Sequence, residues 1–89
     1  MSRAFINEDA SGPERRFNLP PRTDPGYDAA AATALLEGAN LGDSYSAELV
    51  TGYRWGEPRL KPIVERILVQ AQAEGNERLE QLAARFLRA

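Results

Sequence analysis

In the stretch Leu60-Lys61-Pro62-Ile63-Val64-Glu65-Arg66-Ile67-Leu68-Val69-Gln70-Ala71, the residues Leu60, Ile63, Val64, Ile67, Leu68 and Ala71 recur at i, i+3, i+4, i+7, i+8 and i+11. That is the repeat of one face of an α-helix, and Glu65, Arg66, Gln70 and Glu74 fall on the opposite face. The spacing predicts an amphipathic helix. Pro62 fits only its first turn, because a proline further in removes a hydrogen bond and clashes with the preceding turn. Gly75 ends the helix and Asn76 caps the next one, where Leu79, Leu82, Ala83, Phe86 and Leu87 make a second apolar stripe.

Upstream, Asp24-Pro25 reads as an N-cap followed by proline at the first helical position, where its missing N–H is harmless. A helix over residues 25–39 sets Tyr27, Ala31, Ala34, Leu35 and Gly38 on one face, and its small residues permit a close helix approach. Gly42 ends it. Asp43 or Ser44 then caps a short helix reaching about Thr51, with Tyr45, Leu49 and Tyr53 at successive i+4 positions. The two halves echo each other at a shift of 33 residues: Leu35 with Leu68, Gly42 with Gly75, Asp43 with Asn76, Leu49 with Leu82, Tyr53 with Phe86. This period is close to that of tetratricopeptide-type helical hairpins, whose arrays need about three units; any two hairpins with a glycine turn would also look alike. The expected fold is all-α, a small bundle of about four helices forming two hairpins.

Residues 1–24 show no sustained period and are punctuated by Gly12-Pro13, Pro20-Pro21 and Asp24-Pro25, which predicts an extended or disordered arm ahead of a helical domain over 25–89. Phe5, Ile6, Phe17 and Leu19 stand out on it. They are either ordinary tail residues or anchors that dock the arm on its own domain or on another chain. Residues 25–89 number only 65, a length at which one core rarely supplies more than about 3–5 kcal/mol. Packing on a partner would add to that.

The 89 residues contain no cysteine and no histidine, which removes disulfides, the usual zinc sites, thiol nucleophiles and imidazole bases. Net charge is −2, and the ten arginines and one lysine form no basic stripe, so direct nucleic-acid binding is not expected. The start turns acidic at Glu8-Asp9 without a signal-like apolar run, and Ala29 to Leu36 is too short to span a membrane. The expectation is a cytoplasmic protein with no membrane span. Asp43 and Glu48 are the nearest approach to an acidic site, although carboxylates near a helix N-terminus are also caps and dipole partners. Glu57, Lys61 and Glu65 form an i, i+4, i+8 ladder of a solvated face, which argues against a nucleophilic lysine. No phosphate loop, calcium loop or serine elbow occurs, so neither a cofactor nor a metal site is expected. Tyr53-Arg54-Trp55 has the composition of an interface hot spot, or else Trp55 plugs the end of the small core.

Met1-Ser2-Arg3-Ala4-Phe5, Glu8-Asp9, Pro13-Glu14-Arg15 and Asp24-Pro25-Gly26-Tyr27 together resemble the N-terminal leader of some bacterial Gre-type transcript cleavage factors. Gly42-Asp43-Ser44-Tyr45-Ser46-Ala47-Glu48 is loosely similar to the acidic tip of that family's coiled-coil finger, but shorter and without its internal glutamate and asparagine. The resemblance implies association with RNA polymerase, and at Asp43 and Glu48 a magnesium-dependent cleavage chemistry. The leading expectation is a non-enzymatic interaction module or accessory subunit that docks on a larger assembly through Phe5, Ile6, Phe17 and Leu19 of the arm and Tyr53, Arg54 and Trp55 of the loop. The alternatives are a Gre-like cleavage factor and a self-associating, homo-oligomeric structural domain.

Overall fold

A computed structural model of the chain describes residues 17–89, so Phe5 and Ile6 lie outside the described residues. Four α-helices follow one another: α1 Tyr27–Asn40, α2 Ser44–Thr51, α3 Lys61–Glu74 and α4 Glu77–Arg88, with a 3-10 turn at Pro58–Leu60 leading into α3. The described residues contain no strand. α1 packs on α2, α3 packs on α4, and the hairpins join chiefly where α4 meets α1. This is the expected all-α pair of hairpins. No helix among the described residues is long and apolar enough to cross a membrane.

The turns of the two hairpins are the same motif at the 33-residue shift. Gly42 and Gly75 adopt φ of +76° and +74°, a left-handed conformation that glycine reaches without the Cβ penalty. The Asp43 N–H donates to the Gly38 carbonyl at 2.7 Å and the Asn76 N–H to the Ala71 carbonyl at 2.9 Å, the long bond of a Schellman ending. Each Asx side chain then caps the following helix, Asp43 accepting from the Ser46 N–H at 3.3 Å and Asn76 from the Leu79 N–H at 3.1 Å.

The stripe predicted for α4 is realised, with Leu82, Ala83 and Phe86 buried and Leu79 and Leu87 half-buried. On α3, Val64 and Ala71 are buried while Ile63, Ile67 and Leu68 are only half-buried. Pro62 lies in the first turn of α3, behind the 3-10 turn, which Glu57 caps by accepting from the Arg59 N–H at 3.2 Å. Tyr27, Ala31, Ala34, Leu35 and Gly38 of α1 are all buried. Its start differs from the expectation. Asp24 spends its side chain on the Gly26 N–H at 2.7 Å, so the turn at Asp24-Pro25 precedes the helix, which opens at Tyr27 with no side-chain cap.

The larger correction concerns α2. A Cβ placed on Gly38 would lie 2.6 Å from the Ala47 methyl and 3.1 Å from the Asp43 carbonyl oxygen, so α1 and α2 are closer there than any side chain at position 38 allows. Such an approach admits only small residues between the helices. Ala47 and Thr51 accordingly face inward with no exposure, while Tyr45 and Leu49 remain 72% and 61% exposed. The helix ends at Thr51 as expected, with Gly52 as its left-handed cap, and Tyr53 lies beyond it in the loop.

Phe17, which the sequence places on the arm, is 6% exposed and belongs to the core with Leu35, Leu36, Leu60, Val64, Leu82 and Phe86. Leu19 is half-buried against the same cluster. Truncating a buried phenylalanine to alanine costs about 3–5 kcal/mol, the size of the whole margin expected for so small a core. Phe17→Ala is therefore expected to lose most of its helical circular dichroism at ambient temperature; a variant as stable as the parent would remove Phe17 from the core. Gly38→Ala gains helix propensity of about 1 kcal/mol but forces the α1–α2 contact open, and overpacking of this kind costs about 1–3 kcal/mol. Its urea midpoint should fall, and a raised midpoint would mean that the two helices separate without loss.

Candidate functional site

Two features could carry function, the loop after α2 and a groove between the hairpins. The loop begins at Thr51, which is wholly buried and whose hydroxyl donates to the Ala47 carbonyl at 2.8 Å and accepts from the Tyr53 N–H at 3.1 Å. Its carbonyl accepts from the Tyr27 hydroxyl at 2.8 Å, tying the end of α2 to the start of α1. A buried hydroxyl is tolerated only when bonded, and this one is.

From there the predicted hot-spot residues separate. Tyr53 is half-buried and its hydroxyl donates to Asp28 at 2.7 Å, while the Arg59 guanidinium donates to the same hydroxyl at 3.4 Å. Its hydrogen bond to the Tyr53 hydroxyl, with the Asp28 carboxylate close by, raises Arg59 above its ordinary value. Trp55 sets the edge of its ring against Phe86, with centroids 4.9 Å apart and planes at 67°, a favourable aromatic geometry. The Trp55 backbone N–H donates to the Glu48 carboxylate at 2.9 Å. Arg54 alone of the three is exposed. The structure thus brings Tyr53 and Trp55 into the domain's own packing.

The cleft beside the loop, about 340 Å³, is lined by Arg22, Asp24, Pro25, Tyr27, Asp28, Tyr53 and Arg59. Its two arginines face two aspartates that are already bonded, and Arg22 lies 5.6 Å from the Tyr27 ring centre in a cation–π contact. Charge is balanced there. Asp43 and Glu48, the carboxylates that the Gre-type resemblance singles out, are a helix cap and a latch on the Trp55 N–H. No group of three or more metal-ligating side chains is clustered among the described residues. Lys61 departs from its predicted ladder, its ammonium donating to the Ala89 carbonyl at 2.9 Å.

The groove was not visible in the sequence. α1 and α3 form its walls and run the same way, with α4 beneath them, and it encloses about 790 Å³. Ala29, Thr33 and Leu36 line one wall, Ile63 and Ile67 the other, and Leu79 and Leu82 the floor. One end is closed where the Arg78 guanidinium donates to the Asn40 side chain at 2.9 Å. Gln70 donates to Glu74 at 2.9 Å on the α3 rim. Four charged side chains line it, Glu37, Arg66, Glu74 and Arg78, and those of Glu37 and Arg66 make no hydrogen bond or ion pair among the described residues. The available signal was the half-buried state of Ile63, Ile67 and Leu79, which periodicity does not report.

Comparison of the chain with protein-family models, with curated proteins and with solved structures returns no match.

Trp55 is the only tryptophan, so its fluorescence reports the loop directly. Glu48→Ala leaves the Trp55 N–H without its acceptor, an omission that costs about 1–3 kcal/mol when water cannot replace it. The variant should emit at longer wavelength and quench more readily with acrylamide. Unchanged emission and quenching would show that the latch does not hold the ring on Phe86.

Proposed function

We propose that this protein is a non-enzymatic interaction module that receives an apolar segment of a larger assembly in the groove between α1 and α3. The observation that supports this most is that three half-buried side chains, Ile63, Ile67 and Leu79, come together with Leu36 and Leu82 on one open groove of about 790 Å³. Solvent-facing apolar walls with a sparse charged rim are the arrangement that accepts an amphipathic helix or an apolar strand of a partner. The small residues Ala29 and Thr33 leave room for a backbone to approach α1. Completing the burial of a half-covered isoleucine or leucine contributes about 1 kcal/mol, so three of them give a useful though modest anchor.

Tyr45 and Leu49, exposed on α2, and Arg54 on the loop supply a second surface away from the groove. RNA polymerase, the assembly implied by the leader's resemblance, is the first partner to test. A photo-crosslinking residue at position 66, at the groove rim, should join the chain to a defined partner in cells, and the same residue at position 65, on the outer face of α3, should not. Ile67→Asp places a carboxylate on the apolar wall and should abolish the crosslink while helical circular dichroism persists. A crosslink that survives Ile67→Asp would end the groove's role.

A further inference from the structure

The outer face of α2 is used by neither the core nor the groove. Leu41 at the turn before it, and Tyr45 and Leu49 on it, are 53%, 72% and 61% exposed, and no residue of α2 lines the groove. Tyr45 and Leu49 stand one turn apart on one side of the helix, opposite the buried Ala47 and Thr51.

The charges around this face differ from one end to the other. At the N-terminal end is the Asp43 carboxylate, the cap of the helix. At the C-terminal end the Arg22 guanidinium lies against Gly52, 2.5 Å from where a Cβ would stand. Arg54 is exposed, and its side chain makes no hydrogen bond or ion pair among the described residues. Its neighbour Trp55 holds the Glu48 carboxylate through the backbone N–H, which sets Arg54 beside the C-terminal half of α2.

We propose that this face is the contact between two copies of the chain, with their α2 helices antiparallel across a two-fold axis at the level of Ala47. A patch that is acidic at one end and basic at the other is self-complementary in that arrangement. Tyr45 of each copy meets Leu49 of the other, and Arg54 of each faces Asp43 of the other. A purely basic or purely acidic helix of a different protein would match one end of the face and oppose the other. The seam is small. Six apolar side chains bury less than the roughly 1,200 Å² that separates transient from stable contacts, so the dimer dissociates at about 0.1–1 mM. This inference does not depend on the groove reading, but it leaves both grooves open, and an assembly with two apolar segments would then be held bivalently.

Sedimentation equilibrium of the full chain from about 20 μM to about 2 mM brackets such a constant. The average mass should climb from 9.8 kDa toward twice that value. Leu49→Lys, at an exposed position, should hold it at one chain with helical circular dichroism unchanged, while Val69→Lys, 64% exposed on α3, should leave the rise intact. Asp43→Asn keeps a capping oxygen. It and Arg54→Gln should each weaken association about fivefold, as expected for two exposed ion pairs, and the double variant should lose no more than either alone. With no native cysteine, Ser46→Cys on the flank of the face takes a single nitroxide. Mixed with isotope-labelled parent chain, it should broaden the Leu49 methyl resonances and spare those of Val69. A mass that stays at one chain at the highest concentration overturns the proposal, and so does association that survives Leu49→Lys or that Val69→Lys also removes. Losses that multiply in the double variant overturn the pairing of Arg54 with Asp43. If Leu49→Lys removes the partner crosslink at position 66 while the parent chain never self-associates, the face belongs to that partner and the second copy is excluded.

Discussion

The distance between α1 and α2 at Gly38 governs more of this molecule than its position in one helix suggests. With the Ala47 methyl 2.6 Å from where a Cβ at position 38 would stand, the helices can touch only through small side chains, and α2 must turn Ala47 and Thr51 inward. Burying Thr51 obliges its hydroxyl and carbonyl to find partners, and they do so in Ala47, Tyr53 and Tyr27. Those bonds set the path of the following loop. The path carries Trp55 to Phe86 of α4, so a close approach inside the first hairpin ends by sealing the second.

The same constraint explains what could be read from the sequence and what could not. α3 and α4 were legible because a long helix packed by large apolar residues writes its buried face as a repeat, and Val64, Ala71, Leu82 and Phe86 obey it. Both turns were legible because glycine and an Asx cap are the chemistry that a Schellman ending requires. α2 was misread at Tyr45 and Leu49, since in eight residues two large side chains at i+4 imitate a core stripe. Only the neighbouring Gly38 decides that the small residues win. Phe17 was placed on the arm because a single buried side chain has no period to betray it.

The groove belongs to a different kind of omission. Ile63, Ile67, Leu79 and Leu82 were assigned to inward-facing stripes whereas Ala29, Thr33 and Leu36 of the α1 wall were not, and a stripe states which way a side chain points and not how fully its neighbours cover it. α4 lies against both α1 and α3, and the contact between α1 and α3 themselves is slight. The space left between two parallel walls follows from that three-helix arrangement. It is a tertiary property, written in no single segment. The aromatic loop shows the converse, for Tyr53 and Trp55 have the composition of an interface and are used to close the domain.

Groove occupancy and folding are linked in so small a domain. Whatever binds the folded state alone stabilises it by the logarithm of its concentration over its dissociation constant, and covering three half-exposed side chains acts on a margin of about 3–5 kcal/mol. A segment that covers Ile63, Ile67 and Leu79 therefore stabilises the fold as it binds, and the more marginal the domain, the more tightly folding and binding are coupled. Contacts beyond the groove would have to come from the large apolar side chains that the fold leaves exposed, Leu41, Tyr45, Leu49 and Val69 among the described residues.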